Sequence, residues 1–303
     1  MTLEQPTAMD STRDDLRLTT IVVTTTFIIV FLMVSAVGKQ SVLLNDYSAV
    51  FYCAILCLGM QWLAWIPASI GKTERYYDLT GGLTYLTVVG FSLWAGSQSE
   101  PPSPRELIVS LLVVIWSLRL SSFLYFRIHR TGRDGRFDQL KTSPIRFLVP
   151  WTLQGLWVFL TMIVVIVINT QAGSATPLGI WDGIGLSIWI LGFGIEIIAD
   201  HQKTTFNKDS NNNGKWIDSG LWSYSRHPNF TCEQLIWITF YFIGASANGS
   251  LLNWSVVGCV LLVVLFVNSA IFSEGISSRK YPDYKKYQEN VPMFLGFFNK
   301  KWK

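Results

Sequence analysis

Apolar residues occur along this chain in long unbroken runs rather than in the alternating or three-to-four spacing of a soluble core. Eight runs stand out, at residues 19–38, 48–70, 81–95, 107–126, 147–169, 180–199, 231–247 and 252–272. A helix rises 1.5 Å per residue, so about 20 apolar residues cross a hydrocarbon core of ~30 Å. Within lipid every backbone group must bond inside its own segment, which makes these runs helices whatever their β-branched content. The pattern predicts an all-α, polytopic integral membrane protein. Its transmembrane helices number eight, or seven if the short run at 81–95 is re-entrant.

Composition agrees. Only 15% of residues are charged and half are apolar, against ~25% charged in a typical soluble domain. The net charge of +4 is a matter of loop topology, and nucleic acid is set aside as a partner. With eight spans, every Lys and Arg except Lys39, Arg105 and the in-span Arg119 falls on one side. By the positive-inside rule that side, carrying both termini, is cytoplasmic. Residues 1–18 read as a polar tail without signal-peptide character, and 19–303 as a single membrane-embedded domain. Cys53, Cys57, Cys232 and Cys259 have no paired spacing, so neither a disulfide framework nor a metal site is expected.

The chemistry-bearing residues concentrate in polar islands between the runs. The richest spans Asp200 to Glu233. Glu196 and Asp200, four apart, share one face at the end of the sixth run. An unpaired charge near the centre of such a helix costs at least ~2.5 kcal/mol, which points Glu196 to a cavity, whereas Asp200 also suits a cap or a headgroup pair with Lys203. Asn229 and Glu233 are likewise four apart. Pro228 suits a first helical turn, and a helix start with Arg226 and His227 beside it suits an anion, although Arg226 also reads as a topological cation. In a second island Arg127, Arg130, Arg133 and Arg136 recur every third residue. They are able to bracket a phosphate or simply to serve lipid headgroups and topology. A third island, residues 72–82, places Tyr77 and Asp78 at the mouth of the short run, where a general acid has a role and an interfacial aromatic belt is the plainer account. Tyr281, Tyr284 and Tyr287 mark a carboxy-terminal segment that forms an interfacial helix or packs beneath the loops.

Two long motifs carry a family resemblance. The first is I-E-x-x-A-D-x-Q-K-x-x-F, matched by Ile195, Glu196, Ala199, Asp200, Gln202, Lys203 and Phe206. The second is G-L-W-x-Y-S-R-H-P-N, from Gly220 through Trp222, Tyr224, Arg226 and His227 to Asn229, with Glu233 following. Together with D-G-R-F (Asp134 to Phe137) and K-T-E-R-Y-Y-D-L-T-G, they make the chain resemble the steroid 5-alpha-reductase superfamily, in its poorly characterised membrane branch. Most of these motifs lie in 107–292. The resemblance implies NADPH as cofactor and reduction of an activated carbon-carbon double bond in a steroid-like or other lipid that enters from the bilayer. It places Asn229 and Glu233 at the nicotinamide end. Asp200, Lys203, Arg226 and the turn of Arg133, Asp134 and Arg136 fall toward the ribose and phosphates, and Glu196, Tyr224 and His227 complete the cofactor set. Tyr77, Asp78 and Glu233 are the catalytic candidates. The implied location is the endoplasmic reticulum in a eukaryote or the inner membrane in a bacterium. Phe230 and Cys232 depart from the family's tyrosine and glycine, and Trp116 replaces a tyrosine that could donate a proton. Two other readings share features of the chain. An S-adenosylmethionine-dependent methyltransferase of the isoprenylcysteine or phospholipid type shares R-H-P, the late Glu and a Tyr-rich tail. A non-catalytic lipid-binding protein fits the departures.

Overall fold

A computed structural model of the chain describes residues 8–171, 176–248 and 255–294. Its contacts divide the chain into two compact units, Met1–Thr176 and Pro177–Lys303, where the sequence reading has one membrane domain. The first unit holds α1 (Ala8–Val37), a hairpin of β1 (Leu43–Leu44) and β2 (Tyr47–Ser48), α2 (Ala49–Ile70), α3 (Tyr77–Ser97), α4 (Pro104–Thr131) and α5 (Pro144–Thr170). The second holds α6 (Ile180–Lys208), α7 (Pro228–Asn248), α8 (Ser255–Lys280) and the short α9 (Tyr284–Asn290).

Among the described residues each of the eight apolar runs falls in its own long helix, and six of those helices are long and apolar enough to cross a membrane: α1, α2, α4, α5, α6 and α8. The α3 and α7 helices, at 21 residues each, have the length but carry polar first turns at Tyr77–Asp78 and Asn229–Glu233. The protein is an all-α, polytopic membrane protein. Two boundaries differ from expectation. The stretch taken as a polar tail is helical from Ala8, and Asp15 is buried with its carboxylate 3.9 Å from Arg146 Nε. Residues 1–7 lie outside the described residues, as do residues 252–254 at the start of the eighth run. The third run gains a full turn before Gly81, because the polar segment ahead of it continues the helix.

Helix ends follow their capping chemistry. Ser103 and Glu106 form a reciprocal capping box with Pro104 in the first turn of α4, and Ser143 caps α5 ahead of Pro144, as N-terminal preferences dictate. The hairpin turns on Asn45 and Asp46, both at positive φ (46° and 69°), the geometry of a two-residue turn that favours these residue types.

The first unit is built around α5, which is buried at every position from Val158 to Thr170. It is surrounded by α1, α2, α3 and α4. Close packing is visible at Gly96 of α3, where a Cβ would fall 1.8 Å from the Asn169 carbonyl oxygen. Polar side chains bond across these helices, as they must when water is excluded. Gln61 Nε2 donates to Thr84 Oγ1 at 2.8 Å, and Asn169 Nδ2 donates to Ser92 and Ser110, each at 3.0 Å. In the second unit α6 and α7 pack antiparallel, with Gly185 against Ile243 and Gly192 against Ile236.

Candidate functional site

The island from Asp200 to Glu233 comprises the last turns of α6, a connecting loop over residues 209–227 that folds back onto them, and the start of α7. Gly220 takes φ +62°, the left-handed region open to glycine, and a Cβ there would meet Gln202 at 2.6 Å. The bare backbone lets Gln202 Oε1 accept from the Leu221 amide at 2.9 Å. One residue on, Trp222 Nε1 donates to the Ala199 carbonyl at 3.1 Å, and Lys203 Nζ lies 4.6 Å from the centre of the Trp222 ring, within cation–π range. The A-D-x-Q-K and G-L-W motifs are thus two halves of one dock. A cleft of about 340 Å³ opens beside it, lined by His201, Gln202, Thr205, Phe206, Ile217, Ser219 and Gly220. Tyr224 is exposed.

The dock delivers the chain to the start of α7. There Asn229 Nδ2 approaches Asp200 Oδ1 at 3.4 Å, a long contact. The antiparallel register that pairs Gly192 with Ile236 and Asp200 with Asn229 puts Glu196 level with Cys232 and Glu233. Glu196 and Asp200 are both buried, and Glu233 is half-buried. Asn229 Oδ1 is buried and has no hydrogen-bond partner, an arrangement that costs ~1–3 kcal/mol unless a donor meets it.

Arg226 and His227 face elsewhere. Arg226 donates to both oxygens of Glu274, from Nε at 2.7 Å and from Nη2 at 3.1 Å, and from Nη1 to the carbonyls of Gln288 and Val291. His227 Nε2 lies 3.0 Å from Glu274 Oε1. Burial pushes the His227 imidazole below its ordinary value; Glu274 opposes that shift, while Lys203 and Arg226 add to it. These two residues join the loop to α8 and the carboxy-terminal segment, in place of the open anion-binding groups expected from their types. Their partner Glu274 escaped the sequence reading because it falls two residues beyond the eighth run.

The remaining candidates belong to the first unit. The Tyr77 hydroxyl donates to the Pro150 carbonyl at 2.9 Å, and its ring packs against Phe137 and Trp151. It acts as a packing anchor, and its proton is already engaged. Asp78 pairs with Arg127 at 3.5 Å. Asp134 takes Arg136 in a two-point bond, with contacts down to 2.6 Å. Burial opposes its charge, but the hydrogen bonds and charge of Arg136 outweigh that and hold the Asp134 carboxyl below its usual range. Arg133 is largely exposed and 3.7 Å from Asp138. The organiser here is a residue the sequence did not single out. Glu74, 5% exposed, accepts from the Asp134 amide and from Lys141 Nζ, both at 2.9 Å, and so ties K-T-E-R to D-G-R-F. Among the described residues no cluster of His, Cys, Asp and Glu is placed to hold a metal.

Comparison with known proteins adds a family. Residues 64–291 match the model described as "Protein of unknown function (DUF1295)", a span that includes Glu74, the stretch from Asp200 to Glu233 and Glu274. An uncharacterized protein of Schizosaccharomyces pombe is 30% identical over 232 residues, covering 67% of each chain. No solved structure matches. With its matched segment running from the second half of α2 through α9, the chain belongs to the DUF1295 family.

Proposed function

We propose that this protein is a membrane-embedded, NADPH-dependent reductase of a carbon-carbon double bond in a steroid-like or other lipid. The observation that carries the reading is the paired arrangement on α6 and α7: Asp200 opposite Asn229, with Glu196 and Glu233 one level deeper. It puts four polar side chains of the resemblance motifs together on one helix pair.

The residues present fit the nicotinamide end of the cofactor. Asn229 Oδ1 is a buried acceptor in need of a donor, and a carboxamide N–H is such a donor. Asn229 and Asp200 would hold that end, with Lys203, steadied on Trp222, toward the anionic part. Arg226 is not counted among the phosphate ligands, because four of its five N–H donors are taken internally. The chemistry NADPH brings when bound is hydride delivery to the β-carbon of an activated double bond. Glu233 is the member of the catalytic set that this unit positions. The charge asymmetry of the loops supports cytoplasmic termini and a cytoplasm-facing cofactor site, in the endoplasmic reticulum of a eukaryote or the inner membrane of a bacterium.

The test is a set of titrations on purified protein in detergent with NADPH, NADH and S-adenosylmethionine. The reading expects NADPH to bind with preference, and Glu233→Gln to weaken that binding roughly tenfold, the loss of one interaction worth about 1.4 kcal/mol. Preferential binding of S-adenosylmethionine refutes it in favour of the methyltransferase, whose R-H-P turn and Tyr-rich tail are joined here through Arg226 and Tyr287. Silence toward all three favours a non-catalytic lipid-binding protein.

A further inference from the structure

The α7 start that presents Asn229 is preceded by a turn whose conformation is set from far along the chain. Glu274, 48 positions beyond Arg226, is 5% exposed within α8. Its Oε1 accepts from Arg226 Nε at 2.7 Å and lies 3.0 Å from His227 Nε2. Its Oε2 accepts from Arg226 Nη2 at 3.1 Å and from Gln288 Nε2 of α9 at 2.8 Å. The backbone of the turn is held as well: the Arg226 amide donates to the Pro292 carbonyl at 2.9 Å and the His227 amide to the Met293 carbonyl at 3.1 Å. Ser225 Oγ also donates to Met293, at 3.2 Å. One carboxylate, through Arg226 and His227, and one carboxy-terminal segment, through Ser225, Arg226 and His227, therefore clasp three consecutive residues.

A buried ion pair is a poor device for stability alone, since apolar groups of the same volume do as well or better. What a charged, multiply bonded carboxylate adds is direction. Both planes it fixes, the Arg226 guanidinium and the His227 ring, belong to the two residues before Pro228, whose φ is fixed by its ring. With those residues held, the phase of the first turn of α7 is held, and that phase decides whether Asn229 points at Asp200. We propose that Glu274 is a positioning residue for the α6–α7 site, acting through Arg226 and His227, with the segment 291–293 as the second arm of the clasp. This rests on the reading that the site binds NADPH, but the clasp itself is testable without it.

The experiment compares Glu274→Gln and Gln288→Leu with the unaltered protein in detergent. It reads NADPH affinity and the hydrogen exchange of amides 229–233. Glu274→Gln is expected to weaken NADPH binding roughly tenfold and to speed exchange at the α7 start; Gln288→Leu, which removes one of the bonds to Glu274 along with the exposed bond from Ser278, does the same to a lesser extent. Glu274→Gln combined with Asn229→Ala is expected to lose less than the sum of the two single losses, because both act on one contact. A merely structural role predicts additive losses. Unchanged affinity in both variants, or strict additivity, overturns the proposal. If the unaltered protein binds no NADPH, the functional reading fails, and exchange at 229–233 still decides the clasp: unchanged exchange in both variants overturns it. Should Glu274→Gln not fold, Gln288→Leu carries the same comparison.

Discussion

Replacing Glu74 by Gln tests whether one buried carboxylate organises the loops that follow α2 and α4 in the first unit. The substitution keeps size and shape. It removes the charge that faces Lys141 Nζ at 2.9 Å, and it leaves only one acceptor for the two donors that Glu74 now serves. Whichever way the amide is turned, its NH₂ meets either the ammonium or the Asp134 amide. A hydrogen bond to a charged group contributes ~1.5–3 kcal/mol, and a buried donor left unmet costs ~1–3 kcal/mol. Lys141 is 22% exposed along its side chain, so water recovers part of the first amount, and the expected net loss is about 2–3 kcal/mol. Detergent-solubilised membrane proteins often unfold irreversibly, which makes unfolding rate the sounder measure. The assay is tryptophan fluorescence during unfolding in mixed micelles, run for Glu74→Gln, Lys141→Met and the double variant. Direct contact predicts a coupling of ~0.5–3 kcal/mol between the two sites. A loss under ~0.5 kcal/mol for Glu74→Gln, or additive single losses, refutes the assignment of Glu74 as organiser.

Three further outcomes are expected. Gly96→Ala, whose Cβ would fall 1.8 Å from a backbone carbonyl, is expected to destabilise by ~3 kcal/mol or more, whereas Gly90→Ala, with nothing within 4 Å, costs nothing; matched melts of the two check it. His227 is held below its ordinary value, so the unfolded chain takes up the proton first, and stability is lost as pH falls through ~6.5 and levels off below the folded value. Unfolding rates between pH 8 and pH 5 should show that loss, and His227→Gln should flatten it. Tyr287→Phe removes the hydroxyl that donates to the buried Trp222 carbonyl. It is expected to cost ~1–2 kcal/mol and to hasten protease cleavage around α9.

Helix placement was legible because hydrocarbon imposes it: unbroken apolar runs locate all eight long helices to within a few turns. Ends were less legible. The polar residues before Thr19 and before Gly81 continue their helices because neighbouring elements satisfy them, as Arg146 approaches Asp15 and Arg127 pairs with Asp78. Glu196 with Asp200 and Asn229 with Glu233 each lie four apart in one continuous helix, α6 and α7 respectively, as their spacing predicts. The partners of Arg226 were not legible, since residue types reveal that a guanidinium needs acceptors but not which ones. Glu274 and the Gln288 carbonyl come to it only through tertiary folding. The same holds for Glu74, which reads as an ordinary loop acid until the loop from Asp134 to Lys141 closes over it.

The encasement of α5 has a consequence for how substitutions distribute over this protein. The α1 and α5 helices are both strongly apolar, yet α1 exposes Phe31 and Leu32 at 70% and 59%, while α5 exposes nothing from Val158 to Thr170. On α1 the requirement is solubility in acyl chains, which Leu, Ile, Phe and Val meet interchangeably. On α5 it is shape, so Ile163→Val should register as a core defect of ~0.5–1.5 kcal/mol for a lost methylene, and Val165→Leu as overpacking of ~1–3 kcal/mol. A saturation scan would then show α1 as permissive among all apolar residues and α5 as restrictive, although hydropathy ranks the two helices alike.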